Sequence, residues 1–497
     1  MKRSKKHAIK KLQSCCSAIA ATGLFICGAS VYPDTVFAAA DNPKIDYGLT
    51  AGFSTMSINN THFGLGQLNV TYYPQDIARS EGYLAPSANL LWKTSDSGTI
   101  YGGLRAVGSM TRGDGDSWGL TADLHHDYTQ GRFVMVGESM SYLNIDKLYL
   151  GWKSADLIPF LDKDGLDISV GKQNFQLGDG MVLTDGNDEA NPHKGIYWLD
   201  PRQGWNNSAI VRIKSLPYQA ELFYLQSNSY SLDIASGGYT DDIFTDNIVG
   251  GNLEFVNAKR GKIGVSYFNI TSSNNPERDG LSVTGLHGRG NPLSTLQNLE
   301  LAGEVDFQKN KNSAIDRDAV AWFAEAKYFM PELPWHPTLG YRYSSFSGNK
   351  PGTSKNEGWD YLYNGSTERG FGYWYQGIVV GTYETRLSNL DTHFVNLTLM
   401  PPVKGSWMKL LYYNYQFNEP STAQSILGTP ISSRSFASEW DVILGYSPTP
   451  KVDYMVVYGN AKPYQGGIDR VSGTANNTYY YDDKHSTMLQ FTMLYHL

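Results

Sequence analysis

Cysteine is scarce: Cys15, Cys16 and Cys27 are the only three in 497 residues, and all lie near the N-terminus. A disulfide-framed domain is therefore excluded. Long apolar runs are also missing. Beyond residue 29 no stretch approaches the roughly 18 apolar residues of a membrane-spanning helix. No zinc-ligand spacing, phosphate loop or nucleotide fingerprint appears, so no metal, cofactor or catalytic residue is expected.

What is present begins with an address. Lys2, Arg3, Lys5, Lys6, Lys10 and Lys11 form a basic region, an apolar stretch runs from Ala18 to Ala29, and Ala38, Ala39 and Ala40 supply small residues for cleavage. This is the pattern of a secretory signal, and residues 1–38 are expected to be removed, with cleavage as late as 40 as the alternative. A lipoprotein signal is disfavoured because Ile26 is large for the position before Cys27. The exported chain, 39–497, then has no cysteine and must be stabilised in another way. A closed barrel does this by pairing every backbone polar group within its sheet. Residues 1–38 carry six Lys or Arg and one Asp, and removing their net +5 from the whole-chain −7 leaves −12. So acidic a chain argues against nucleic acid as a partner.

Aromatic residues make up 13%, with 34 Tyr and 51 Gly beside a negative mean hydropathy. That mixture suits a membrane barrel with interface rings and a wet lumen, or a secreted β-sandwich. The alternation separates them. Val320, Trp322, Ala324, Ala326 and Tyr328 share one parity, with Glu325 and Lys327 on the other. After Pro331–Pro337 the chain returns with Leu339, Tyr341 and Tyr343 opposed to Arg342. Similar stripes recur at 148–153, 209–214, 299–307 and 439–446. Several end in an aromatic ring, which belongs at a membrane interface. Leu489, Phe491, Met493, Tyr495 and Leu497 carry one parity to the last residue, as in outer-membrane barrels, which usually end in Phe. Such a strand is the expected handle for the barrel-assembly machinery.

The predicted fold is all-β, one closed antiparallel transmembrane barrel of about 18 strands, from 45–56 to 485–497. Sixteen or 20 strands are the alternatives, because 57–142 reads poorly and His125–Met140 has room for another pair. The turns at 331–337, 401–405 and 447–451 share the periplasmic side with both termini only if 348–389 is a single external excursion. Tyr373–Tyr383 is therefore read as loop despite Ile378, Val379 and Val380.

At Gly165–Gly180 the chain reads GLDISVGKQNFQLGDG. This resembles the alginate-export family of outer-membrane barrels, as do TLGYRYSSFSGN at Thr338–Asn349 and the long loop leading into NLDTHFVNLTLMPP. The resemblance implies an 18-stranded monomeric barrel acting as a passive channel, in which Lys172, where the family carries Arg, belongs to the transport pathway.

By parity, Arg105, Lys147, Arg212, Lys214 and Arg342 face the lumen, as do Glu300, Glu304, Asp306, Glu325, Glu439 and Asp441. Basic residues fall mostly in the first half of the chain and acidic ones in the second. A closed barrel turns these halves into opposed walls, giving a transverse field. In the alternative, each charge pairs with a neighbouring strand, and an Arg342–Glu325 pair would favour that. The segment 185–207 is the expected constriction, with His193, Lys194, Trp198, Arg202 and Trp205 able to meet sugars or carboxylates. Asp114–Asp116 and Asp185–Glu189 lack a full calcium-loop spacing and read as solvated turns. His125 and His126, adjacent on a strand, would face opposite sides.

These features predict an outer-membrane porin-like channel for passive diffusion of small hydrophilic, charged or sugar-like solutes. The alternatives are export of an exopolysaccharide such as alginate and a loop-sealed adhesin. A barrel enzyme is disfavoured, because adjacent His485 and Ser486 cannot face one site.

Overall fold

The computed structural model describes residues 42–61, 63–64, 76–94, 98–113, 117–118, 134–135, 139–184, 186, 199, 201, 204–227, 229–230, 243–293, 295–365, 374, 376–385, 387–423, 431–472 and 484–497. Chains that alternate apolar and polar side chains bury one face of a sheet and must cover the other. Here the sheet solves this by closing on itself. Its strands are β1 Lys44–Asn59, β2 Ile77–Thr94, β3 Gly98–Gly113, β4 Ser139–Lys153, β5 Leu166–Gln173 and β6 Trp205–Ser215. They continue as β7 Tyr218–Gln226, β8 Asp246–Asn257, β9 Gly261–Ser273, β10 Ser282–Gly290, β11 Leu299–Lys311 and β12 Asp316–Phe329. The circuit ends with β13 Thr338–Phe346, β14 Leu390–Leu399, β15 Ser406–Phe417, β16 Ser435–Thr449, β17 Val452–Pro463 and β18 Ser486–His496.

All 18 belong to one sheet, each antiparallel to its sequence neighbours, and β1 closes the barrel on β18 with Phe53 opposite Met493. Ser117–Trp118 pairs with Val134–Met135, outside this sheet, so among the described residues 57–142 adds no barrel strand beyond β1–β4. A short helix, α1 (Gln465–Ser472), follows β17.

The exterior is apolar. Leu84, Leu104, Leu148, Val170, Leu222, Leu253, Val265 and Leu444 stand exposed on it. Exposed rings cluster where strands meet the short turns: Tyr47, Trp92, Tyr218, Phe255, Tyr328 and Tyr446. A water-soluble protein would not expose such a continuous belt, whereas lipid-facing strands with an aromatic girdle require it. Turns 330–337, 400–405 and 450–451 lie at one end, and 347–389 is one excursion at the other, as the parity argument requires.

Inside, the two halves differ. Toward the turn end the wall is polar. Toward the loop end it is apolar on its inner face as well, and loop segments fold in to cover it. Phe175, Leu177, Met181–Leu183, Trp359, Tyr361–Tyr363 and Trp374 pack against Ile210, Phe223, Leu225, Ile248, Phe268 and Phe323 of the wall. On another arc Ile378, Val379, Val380 and Tyr383 pack against Met56, Ile58, Leu411, Ile443, Met455 and Val457. Fully burying a side chain of this size is worth about 1.5–3 kcal/mol. The loops are thus held inside by the force that builds a soluble core.

Candidate functional site

The lumen wall is the site, and its charges are placed by strand parity. Arg105 on β3 is directed inward, where one guanidinium nitrogen donates to Asp146 Oδ2 at 3.1 Å and to the Pro201 carbonyl at 3.0 Å. Asp146 reaches the lumen through a β-bulge: the register between β3 and β4 shifts there, with Arg105 opposite Lys147 and Ala106 opposite Ile145. Asp146 and Lys147 are therefore successive inward residues. The bulge was legible in the sequence, because the outward stripe changes from Leu143 and Ile145 to Leu148 and Leu150.

Arg212 pairs with Glu221 across the β6–β7 hairpin at 3.0 Å. Lys214 has the same inward parity but lies exposed near the turn. Four strands further round the wall Glu300 pairs with Arg289 at 3.1 Å. Glu325 meets Lys327 at 3.1 Å and Arg342 at 4.0 Å. The Arg342 guanidinium also lies 4.4 Å from the Trp374 ring centre and 4.9 Å from that of Phe394. Lys262 and Glu254 add a further cross-strand pair at 2.8 Å. These neighbouring pairs, Arg342 with Glu325 among them, favour local compensation over a transverse field.

Among the described residues, two acidic couples have no such cation within ion-pair distance. Glu304 and Asp306 are buried on β11, each with one carboxylate oxygen lacking a hydrogen-bond partner. Glycine at 178 lets the inward loop pass over them, since a Cβ there would sit 3.3 Å from Glu304 Oε2. Glu439 and Asp441 are fully buried on β16. Glu439 accepts hydrogen bonds from the amides of Val379 at 2.8 Å and Val380 at 2.7 Å.

Lys172 departs from expectation. It pairs with Leu148, an exposed residue of the outer face, and shares parity with outward Ile168 and Val170. It therefore belongs to the exterior side of β5 and not to the lumen. Gln173, the next residue, is the one that turns inward and donates to Ser208 Oγ at 2.9 Å.

Of the constriction residues, His193, Lys194, Trp198 and Arg202 lie outside the described residues, as do His125–His126, Asp114–Asp116 and most of Asp185–Glu189. Trp205 is described: it opens β6, is fully buried and donates from its indole to the Phe175 carbonyl at 3.1 Å. Described neighbours of that loop turn inward. The Leu199 amide donates to Glu81 at 3.3 Å and that of Gly204 to Asp146 at 3.3 Å.

Sequence reasoning missed the segments that fill the lumen most completely. The first limb of the long excursion joins the inward loop after β5: the Tyr363 amide donates to the Val182 carbonyl and the Thr184 amide to that of Tyr363. Arg278, between β9 and β10, clamps this limb with two bonds of 2.9 Å to Asp360. Asp246 joins at 3.3 Å. Burial works against the Arg278 charge, but Asp360, Tyr363 and Asp246 outweigh it and hold the guanidinium well above its ordinary pKa. Burial and then Asp246 likewise raise the Tyr363 phenol well above the usual range. The second limb, 376–385, is the strap over β16. Arg79 of β2 donates to the Tyr383 hydroxyl at 3.1 Å. Arg79 and Glu81 lie in the part of β2 that the sequence reading did not assign to a strand, and nothing in the sequence pointed to Arg278.

Such a structure, lipid-facing outside and polar or loop-filled inside, defines a membrane-spanning β-barrel of the outer-membrane type. Among solved structures, the outer membrane protein opdK from Pseudomonas aeruginosa aligns with a TM-score of 0.50 at 12% identity, over 91% of this chain and 98% of that one. OccK7 (OpdD) from Pseudomonas aeruginosa aligns with a TM-score of 0.49 at 10% identity, over 92% and 99%. The shared property is the fold. No protein-family model matches the sequence, and no curated protein does. The alginate-export resemblance finds no support in these comparisons. The glycines of its key segment have a local reason: Gly171, Gly178 and Gly180 adopt φ of +119°, +54° and +79°, a region disfavoured for side-chain-bearing residues.

Proposed function

We propose that this chain is a multi-pass channel of the bacterial outer membrane through which small hydrophilic solutes, charged or sugar-like, diffuse passively. The observation that carries this reading is the closed 18-stranded barrel whose outer face is apolar while the turn-end half of its inner wall presents Arg105, Lys147, Arg212, Glu221, Glu300 and Arg289. A wall of paired charges presents polar groups to a hydrated solute without a large net field. Both termini and the short turns are assigned to the periplasm and the long loops to the cell exterior. The barrel acts as a monomer embedded in outer-membrane lipid, it enters the membrane through the assembly machinery by way of β18, and its role is transport and not catalysis. Lys147, next to the Arg105–Asp146 pair, and the segment holding His193, Lys194, Trp198 and Arg202 are assigned to selectivity.

Liposome swelling is the direct test. Purified protein in vesicles should admit small sugars and amino acids and exclude a large polymer. Vesicles that stay impermeable to every small solute would contradict the reading. The second reading, a loop-sealed structural barrel, is favoured by one observation: two apolar clusters pack loops into the lumen. It would be sustained by impermeable vesicles containing folded protein.

A further inference from the structure

The strap Gln376–Thr385 runs along the inner wall from β13, where Ser344 Oγ donates to Gln376 Oε1 at 2.9 Å, to β2, where Arg79 meets Tyr383 at 3.1 Å. That path passes eight consecutive strands of the 18, nearly half the circumference. Its contacts are of two kinds. Ile378, Val379 and Val380 give apolar adhesion without direction. Between the end attachments at Ser344 and Arg79, the polar hold on the strap backbone centres on Glu439 and its neighbour Tyr415. Glu439 accepts the Val379 and Val380 amides, and Tyr415 donates to both Glu439 Oε2 at 3.1 Å and the Gln376 carbonyl at 2.5 Å. Gly377 is fitted to this anchor: its φ is +117°, and a Cβ would stand 2.7 Å from Glu439 Oε2.

The anchor is also unstable by construction. Asp441 lies two residues away on the same inward face and is fully buried, so two carboxylates share one enclosed stretch of wall beside the strap at Ile378. The titratable groups facing Glu439 are Asp441 on its own strand and Tyr413 and Tyr415 on β15, while β17 contributes Ala461 and Gly459 and the strap contributes no ionisable group before Tyr383. Arg342 of β13 stands beyond Tyr413. No described cation touches either carboxylate within ion-pair distance.

We propose that Glu439 is the positioning residue of a gate: its carboxylate holds the strap inside the barrel against the inner wall, and neutralising that carboxylate releases the strap from the lumen and widens the path. The ionised carboxylate accepts both amides at once, so the attached state is favoured when Glu439 is charged and lost as acid protonates the couple. The inference rests on the channel reading.

The test combines amide hydrogen exchange with bilayer current on the folded full-length barrel. In Glu439→Gln the carboxamide can accept one amide but turns its NH2 toward the other, donor against donor. Exchange across 376–385 should accelerate about tenfold or more, with the strands still protected. Its mean current should exceed that of the unaltered protein at neutral pH and stay flat on acidification, whereas the unaltered current should rise. A lock supplies the converse. Ile378 lies against Gly459, whose Cβ would be 2.6 Å from Ile378 Cδ1, so Ile378→Cys with Gly459→Cys can form a disulfide in a mature chain with no other cysteine. Oxidised, it should hold current low and independent of pH, and reduction should restore the response. Unchanged exchange in Glu439→Gln, or an oxidised lock whose current still rises in acid, would overturn the proposal. If neither protein conducts at all, the channel reading and the gating role fail together, while exchange still reports whether Glu439 anchors the strap.

Discussion

Single residues decide how the loops sit in this barrel, and two of them give sharp expectations. Arg278→Ala would leave Asp360 and Asp246 buried without their cation, the situation that costs about 3–5 kcal/mol when one partner of a buried pair is removed. Limited proteolysis of the folded variant should then cut within 347–389 where the parent resists. Equal resistance would show that the clamp is dispensable. Gly377→Ala meets both a forbidden φ and the Tyr415 hydroxyl, 2.3 Å from the added Cβ. Strain of about 1–3 kcal/mol is expected, read as faster exchange of the strap, and an unperturbed strap would contradict the geometry. Much at this scale was legible. Arg105, Lys147, Arg212, Arg342 and the six acidic positions fall on the inner face as parity places them, because a period of two leaves only two choices. Lys172 was misplaced because a family likeness, and not its parity with Ile168 and Val170, assigned it. Arg278 could not be found: it acts across 82 residues on Asp360, and nothing local encodes such a partner.

Elements were the most readable level. Each of the 18 barrel strands overlaps a stretch that reads as a strand in the sequence, and the excursion at 347–389 follows from counting turns. The inward fold of that excursion was not legible. Ile378, Val379 and Val380 look like a strand and instead lead into a π-helical turn, Val380–Glu384, inside the lumen. Their apolar character is answered by an apolar inner wall, where strands such as β7 carry Phe223 and Leu225 inward beside outward Leu222 and so lose alternation. The two faces of a strand also make a clean prediction. Leu253 of β8 is exposed on the outer face and Asn252 points inward. Leu253→Arg should cost about 2–4 kcal/mol near the bilayer midplane, measured by urea titration of the protein in vesicles, and Asn252→Arg far less. Equal costs would mean that the outer face does not meet lipid.

At the scale of the molecule, a barrel with no cysteine among its described residues is held by closure of the sheet outside and by two packed clusters within. The secretory reading of the N-terminus predicts that the mature protein starts at Ala39, or at Asp41 if cleavage falls later. Mass spectrometry of the purified protein checks this, and an intact Met1–Ala38 segment in the mature protein would refute it. A barrel of this size with a polar turn-end wall should carry ions whenever its loop segments allow passage. The most direct measurement is single-channel current of the refolded protein in a planar bilayer under a salt gradient. Discrete open steps are expected, with a small reversal potential because Arg105–Asp146, Arg212–Glu221 and Arg289–Glu300 compensate one another along the wall. A barrel that inserts and never conducts at any voltage would contradict the channel.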